Sequence, residues 1–172
     1  TMAPQSLTLT ATLPGRVRAA AEAEVRPQVN GIVTEQLFRE GTMVSEGDVL
    51  FRIDPTTYEA AVAQARASVT AAEAQLRAAE REFTRVTELS NRGVSTQAAM
   101  DAATSARDTA KAQTEVAGAA LRTAQIELAH TEVKARLSGR IGLSQTSPGA
   151  LVTASQAAAM ATIRRIDAVH VD

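Results

Sequence analysis

Residues Tyr58–Val86 read YEAAVAQARASVTAAEAQLRAAEREFTRV. Apolar side chains fall at Tyr58, Val62, Ala65, Val69, Ala72, Leu76, Ala79, Phe83 and Val86, a 4-3-4-3 spacing without an error. Such a narrow seam belongs to a coiled coil rather than to the broad apolar face of a globular helix. Upstream, Asp54-Pro55 is a start signal, because Asp caps and a first-turn Pro loses no hydrogen bond. Downstream, Gly93 suits a left-handed C-cap and Ser95 the N-cap of a second helix. A second seam runs through Met100, Ala103, Arg107, Ala110, Thr114, Ala117, Leu121, Ala124 and Leu128, with Arg107 and Thr114 as polar interruptions. So short a connection makes the helices antiparallel. The spacing predicts a hairpin of Pro55–Arg92 and Ser95–Thr131, each arm on the order of 55 Å long at the α-helical rise. Alanine layers bring the axes close but bury little, so the hairpin is expected to be thin and to need neighbours for rigidity.

On either side of the helices the punctuation changes. No Pro lies between Pro55 and Pro148, whereas Gly and Pro recur among short β-branched runs before and after. These flanks repeat. Gly31 and Gly41 recur as Gly139 and Gly149, an offset of 108, and Met43-Val44 recurs as Leu151-Val152. Each flank then ends in an apolar strand closing on Ile-Asp, at Ile53-Asp54 and Ile166-Asp167. About four short strands per flank are too few to bury a face, so Gly31–Asp54 and Gly139–Ile166 should pair as half-motifs of one sandwich. The expected class is α+β, a small β-sandwich interrupted by the helical hairpin.

Composition removes several functions. The 172 residues contain 36 alanines by count and only 2% aromatics, which argues for long helices in close contact over a bulky core. With Lys+Arg 18 against Asp+Glu 19, the net charge of −1 gives no footprint for nucleic acid. There is no Cys for a disulfide, thiolate or Cys-bound metal. His130 and His170 stand alone, and the four Met are scattered, which opposes a soft-metal relay. No nucleophile, base and orienter stand together, so no enzyme and no cofactor are expected. No run approaches the roughly 18 apolar residues of a membrane span. The helix charges Glu73 with Arg77, Arg81 with Glu88 and Asp108 with Lys111 read mainly as a solvated face, or as partners for an adjacent hairpin.

The flanks also carry a resemblance. Gly31-Ile-Val, Glu40-Gly41 and Glu46-Gly47-Asp-Val-Leu-Phe51-Arg-Ile-Asp54 resemble the first half of a biotinyl/lipoyl-type fold. Ser138-Gly139-Arg140-Ile141-Gly142 and Pro148-Gly149-Ala150-Leu151-Val152 resemble the second. A lipoyl-like sandwich split by a hairpin is similar to the periplasmic adaptor, or membrane fusion protein, family (HlyD-like). Leu13-Pro14-Gly15-Arg16-Val17, Ala23-Glu24-Val25-Arg26-Pro27-Gln28-Val29, Ile53-Asp54-Pro55-x-x-Tyr58 and Ile166-Asp167-Ala168-Val169-His170-Val171-Asp172 narrow it to AcrA/MexA-like adaptors of RND-type multidrug transporters. Ala168, His170 and Arg136 depart from the family's usual residues. Carrier function is not implied, since the hairpin replaces the turn where a carrier lysine sits, and Lys111 and Lys134 lie elsewhere.

The resemblance implies a division into 1–24 (incoming strand and linker of a β-barrel), 25–54 (half-motif one), 55–131 (hairpin), 132–166 (half-motif two) and 167–172 (outgoing barrel strand). It implies a fragment of an adaptor anchored to the inner membrane of a Gram-negative cell through a segment outside this sequence, working in the periplasm. Its partners would be an RND transporter, a TolC-type outer-membrane channel and further copies of itself, three to six in a ring. At the tip the family's Arg-x3-Leu-x6-Ser pattern is matched by Arg85, Leu89 and Ser95 with one residue fewer before the serine. By resemblance these three dock on the channel. An adaptor for an ABC-type or major-facilitator exporter is the nearer alternative; a coiled-coil scaffold without transport is the alternative of a different class.

Overall fold

In a computed structural model the chain is described over residues 17–171, with side chains over 21–165. The order is β1 (Val17–Val25), β2 (Gly31–Gln36), β3 (Met43–Val44), β4 (Val49–Ile53), α1 (Thr56–Asn91), α2 (Gln97–Ala129), β5 (Glu132–Lys134), β6 (Gly139–Ile141), β7 (Leu151–Val152) and β8 (Ala161–Val171). Two four-stranded sheets, β1-β8-β6-β3 and β5-β4-β2-β7, enclose one apolar cluster that draws Ile141 and Ile163 from one, Val33, Leu50, Phe51 and Ile53 from the other, and Met160 from just before β8.

The flanks pair by exchange. β3 leaves its own half to pair with β6, and β7 leaves its half to pair with β2. The exchange is reciprocal at single hydrogen bonds. Gly41 N–H donates to Ile141 O at 2.9 Å, and Gly149 N–H to Val33 O at 2.7 Å. Ile141 N–H donates to Thr42 O at 3.0 Å, and Val33 N–H to Ala150 O at 2.9 Å. Each pair maps on the other by the 108 offset, which is the signature of a two-fold relation. The relation extends beyond the expected repeat. Val25↔Ala161 in β1-β8 answers Val133↔Phe51 in β5-β4, so Glu24-Val25-Arg26 is the counterpart of Glu132-Val133-Lys134. Both segments carry an ion pair, Arg26–Glu24 and Lys134–Glu132.

One equivalence is corrected. Ile53 pairs with Val33 in the register that Ile163, not Ile166, shares with Ile141. The stretch from Val44 to Phe51 gains two residues in its counterpart from Val152 to Ala161, so the offset becomes 110 by β8 and the Ile-Asp endings are not equivalent. β1 and β8 also run unbroken through 24/25 and 166/167, although their register shifts between Ala19 and Ala21. Of the expected incoming strand from Leu7, residues up to 16 lie outside the described part, as does Asp172.

Between 58 and 86 the nine seam positions, and no others, are shielded from solvent. All nine seam positions of α2 are shielded as well, joined by Thr104 and Gly118. The helices form an antiparallel pair whose level is set by Arg107 stacked 4.2 Å above the Phe83 ring, and by Thr87 Oγ1 3.9 Å from Met100 Sδ. Arg107 is thereby a covering layer for the Phe83 ring, its guanidinium also bonded to Asp108. Thr114 returns its hydroxyl to Ala110 O, so neither polar residue leaves a buried group unpaired. Of the expected charge pairs, Glu73–Arg77 is present at 3.9 Å; Asp108 pairs with adjacent Arg107 and not with Lys111, and no Arg81–Glu88 bridge forms across seven residues.

The hairpin starts at Thr56 and not at Pro55: Asp54 Oδ1 accepts from Thr56 N–H and Oγ1, and Pro55 O takes the first helical bond from Glu59 N–H. Those two bonds hold the Asp54 carboxyl below its ordinary pKa. Ile53 N–H donates to Thr131 O at 2.8 Å and Tyr58 Oη to Asn30 O at 2.7 Å, fastening the hairpin base to the sandwich.

A Cβ on Gly139 would lie 2.5 Å from the Arg164 carbonyl oxygen, and one on Gly31 2.6 Å from Ile53 Cγ2. Gly139→Ala must push backbone apart and should lower stability by about 1–3 kcal/mol, as overpacking does. Gly118→Ala, in α2 with open space at its Cβ, should gain up to about 1 kcal/mol from helix propensity. Urea unfolding of both variants checks the contrast, and a neutral Gly139→Ala would contradict the close approach.

Candidate docking site at the hairpin tip

The tip is built by a helix stop that gives partners to the carbonyls of Glu88, Leu89 and Ser90. Gly93 takes φ +73°, Gly93 N–H donates to Ser90 O at 2.9 Å, and Val94 N–H reaches back to Leu89 O at 3.0 Å. These are the two bonds of a Schellman motif, with Gly at the left-handed position as the sequence requires. The residue capping α2 is Thr96 and not Ser95: Thr96 is extended and its Oγ1 accepts from Ala99 N–H at 3.2 Å. Closing the Schellman turn uses the chain through Val94, so Ser95 falls in the connection, partly buried, and the cap passes to the next hydroxyl.

Arg85 and Leu89 are one turn apart on neighbouring columns of α1, and the Val94 bond draws the connection to the Leu89 backbone. Arg85 is exposed, but its Nε donates to Glu82 Oε2 at 2.9 Å and its Nη2 pairs with Oε1. This two-point bond, and then the charge behind it, holds the Glu82 carboxyl below its ordinary pKa and raises Arg85 further. Leu89 is half-buried at the seam's end rather than fully projecting. The most exposed apolar side chain of the apex is one the sequence pattern did not flag, Val94 at 69%. Its position directly after a C-capping Gly was the available signal. The tip thus offers Val94 and part of Leu89 as an apolar anchor, flanked by an arginine whose donors are shared with a carboxylate.

Lys134 sits in β5 paired with Glu132, and Lys111 is on exposed α2. Among the described residues no group of acidic and His side chains is gathered to hold a metal ion, and no helix is long and apolar enough to cross a membrane.

Residues 21–164, the sandwich with its hairpin, match the family model described as "RND MFP, barrel-sandwich hybrid domain". The chain belongs to this membrane fusion protein family. All 172 residues align at 45% identity with the antibiotic efflux pump periplasmic linker protein ArpA of Pseudomonas putida, over 43% of that protein. They align at 42% with multidrug resistance protein MexA of Pseudomonas aeruginosa, over 41% of it, and at 38% with multidrug efflux pump subunit AcrA of Escherichia coli K12, over 43%. The chain spans less than half the length of these relatives. Among solved structures, membrane fusion protein Spr0693 from Streptococcus pneumoniae R6 superposes with a TM-score of 0.71 at 21% identity, over 91% of this chain and 64% of that one. ZneB from Cupriavidus metallidurans does so with 0.62 at 25%, over 92% and 67%. Such low identity to the former speaks for the membrane fusion protein fold alone.

Replacing the actual cap should matter and replacing its neighbour should not. Thr96→Ala is expected to cost about 1 kcal/mol and to speed amide exchange at the start of α2. Ser95→Ala should change stability by less than about 0.5 kcal/mol.

Proposed function

We propose that this chain is the hairpin and sandwich of a periplasmic adaptor that links an inner-membrane RND multidrug transporter to a TolC-type outer-membrane channel in a tripartite efflux pump. The observation that carries the reading is the alignment of all 172 residues, hairpin included, with proteins named as periplasmic linkers of efflux pumps. The hairpin acts as a coiled-coil spacer, 55–131. The half-motifs 25–54 and 132–166 form a lipoyl-like sandwich without a carrier lysine, and 1–24 and 167–172 lead to a barrel. The protein works in the periplasm, anchored to the inner membrane outside this sequence, as a ring of three to six copies. It has no catalytic group; drugs move under the transporter's own driving force.

Arg85, Leu89 and Ser95 contact the channel. Support comes from the tip geometry: an apolar anchor beside a guanidinium, on a turn closed by two backbone hydrogen bonds. Apolar anchors and Arg are the side chains that dominate such contacts. Because Glu82 already holds Arg85, docking exchanges one carboxylate or carbonyl partner for another and gains only the difference.

In cells deleted for their own adaptor and supplied with the full-length protein, Leu89→Asp should abolish drug resistance while expression and helicity stay normal. Arg85→Ala should weaken channel docking by about 1–2 kcal/mol, less than a fully buried hot spot loses. Undiminished efflux by both variants would remove the tip from the docking contact. Undiminished efflux after deletion of the whole hairpin would remove the adaptor reading itself.

A further inference from the structure

The outer part of the hairpin, about three turns on either side of the apex, carries the arginines Arg81, Arg85, Arg92 and Arg107. Two of them are engaged. Arg107 covers the Phe83 ring at 4.2 Å and pairs with Asp108, and Arg85 holds Glu82 through two donors. Arg81 makes no ion pair with a described residue, but at the α-helical rise it lies about 16 Å below Arg92. Arg92 itself is the C-cap of α1 and is exposed. Its backbone N–H closes on Glu88 O at 3.2 Å, which fixes the residue at the apex. Its guanidinium makes no ion pair or hydrogen bond with a described residue, Glu88 one turn below included.

Arg92 and the exposed Val94 flank Gly93, whose Cα faces open space. The apex therefore sets an uncommitted guanidinium two residues from its most exposed apolar side chain, on a turn held by its own backbone bonds. We infer that Arg92 is the principal cation of the docking contact at this tip, and that Glu82 competes with the partner for Arg85. The inference rests on the reading of the tip as the channel-docking site, to which it adds one contact residue and one competitor. The surface that fits it presents carboxylates or backbone carbonyls around an apolar recess, acceptors for the planar fork of Arg92 and a seat for Val94.

The difference between the two arginines is what each gives up. On docking, Arg92 exchanges water for an acceptor of the partner. Arg85 must in addition open its pair with Glu82, a bond of i,i+3 spacing made by two solvent-exposed side chains. An exposed pair of this kind shifts an equilibrium by up to about fivefold. Arg85 is discounted by that factor and Arg92 is not. The discount is also removable, because it resides in one carboxylate that the fold does not otherwise use: Glu82 is exposed, and Arg85 is its ion-pair partner among the described residues.

The test uses the full-length protein in cells deleted for their own adaptor. The readouts are drug resistance and the amount of outer-membrane channel that copurifies with the adaptor. At unchanged expression and helicity, Arg92→Ala should lower both by about twofold or more beyond the loss caused by Arg85→Ala. Adding Glu82→Gln to Arg92→Ala should recover about twofold or more, because it releases Arg85. Adding Glu82→Gln to Arg85→Ala should change neither readout. An Arg92→Ala loss no larger than that of Arg85→Ala would overturn the assignment of Arg92. A Glu82→Gln gain that persists without Arg85, or no gain beside Arg92→Ala, would overturn the competition. If Arg92→Ala is silent while Leu89→Asp still abolishes resistance, the docking reading stands and this assignment falls. If both are silent, the tip is not the docking contact and the two fall together.

Discussion

Two backbones meet where Gly139 passes the carbonyl of Arg164 with no room for a side chain, while at Gly31 the close neighbour is a side-chain methyl, Ile53 Cγ2. This close approach permits the strand exchange. With a Cβ at Gly139, β6 could not lie against β8 at the observed spacing, whereas a Cβ at Gly31 would have to displace the Ile53 side chain. The exchange then gives each half the edge strand it lacks, so that neither sheet is complete without both ends of the chain. A helical pair placed between the halves therefore does not divide the sandwich. It is the loop that lets them close.

The cost of closing so long a loop is lowered by the insert itself. Loop-closure entropy is smaller when the intervening chain is already folded back, and the hairpin makes mostly local contacts. Once α1 and α2 pair, Ile53 and Thr131 are neighbours, joined by a 2.8 Å bond, and the halves meet as though separated by a short turn. The hairpin's weakness lies elsewhere. Its fully buried seam members are Ala72, Val86, Ala103, Ala117 and Ala124, so most layers bury little more than a methyl group. The Phe83–Arg107 layer is the exception and fixes the register that the alanines leave loose.

Much of this is legible in the chain. Seam positions come from spacing alone, because a helix's exposure is a one-dimensional function of sequence period; every expected position of both seams is shielded. The offset of 108 reveals the repeat. It does not reveal whether the halves pair side by side or trade edges, since a non-local partner leaves no mark in local pattern. The two-residue difference after β7 hides the counterpart of Ile53 for the same reason: matching Ile-Asp endings outweigh the burial that points to Ile163. At the tip, Gly93 stands where its sequence context puts it, but the cap lies one residue later than expected. Ser95 and Thr96 are chemically equal, and only the length of the turn chooses between them. Arg85 is not the free guanidinium that the tip pattern suggests; its two-point bond to Glu82, three residues back, is a consequence of helical spacing.

The two-fold relation has a topological consequence. It carries β4 and β5, the strands from which the hairpin leaves, onto β8 and β1, the strands that reach the described termini. The sandwich thus has two equivalent outlets, one carrying helices and the other a two-stranded ribbon. Its packing does not depend on which outlet holds the cut in the chain. A sequence opened at Gly93 and joined across the ribbon would present the same set of strand pairs, in the same registers, to the same core. The sandwich is a coupling with two interchangeable sockets, and what is plugged into each is decided outside it.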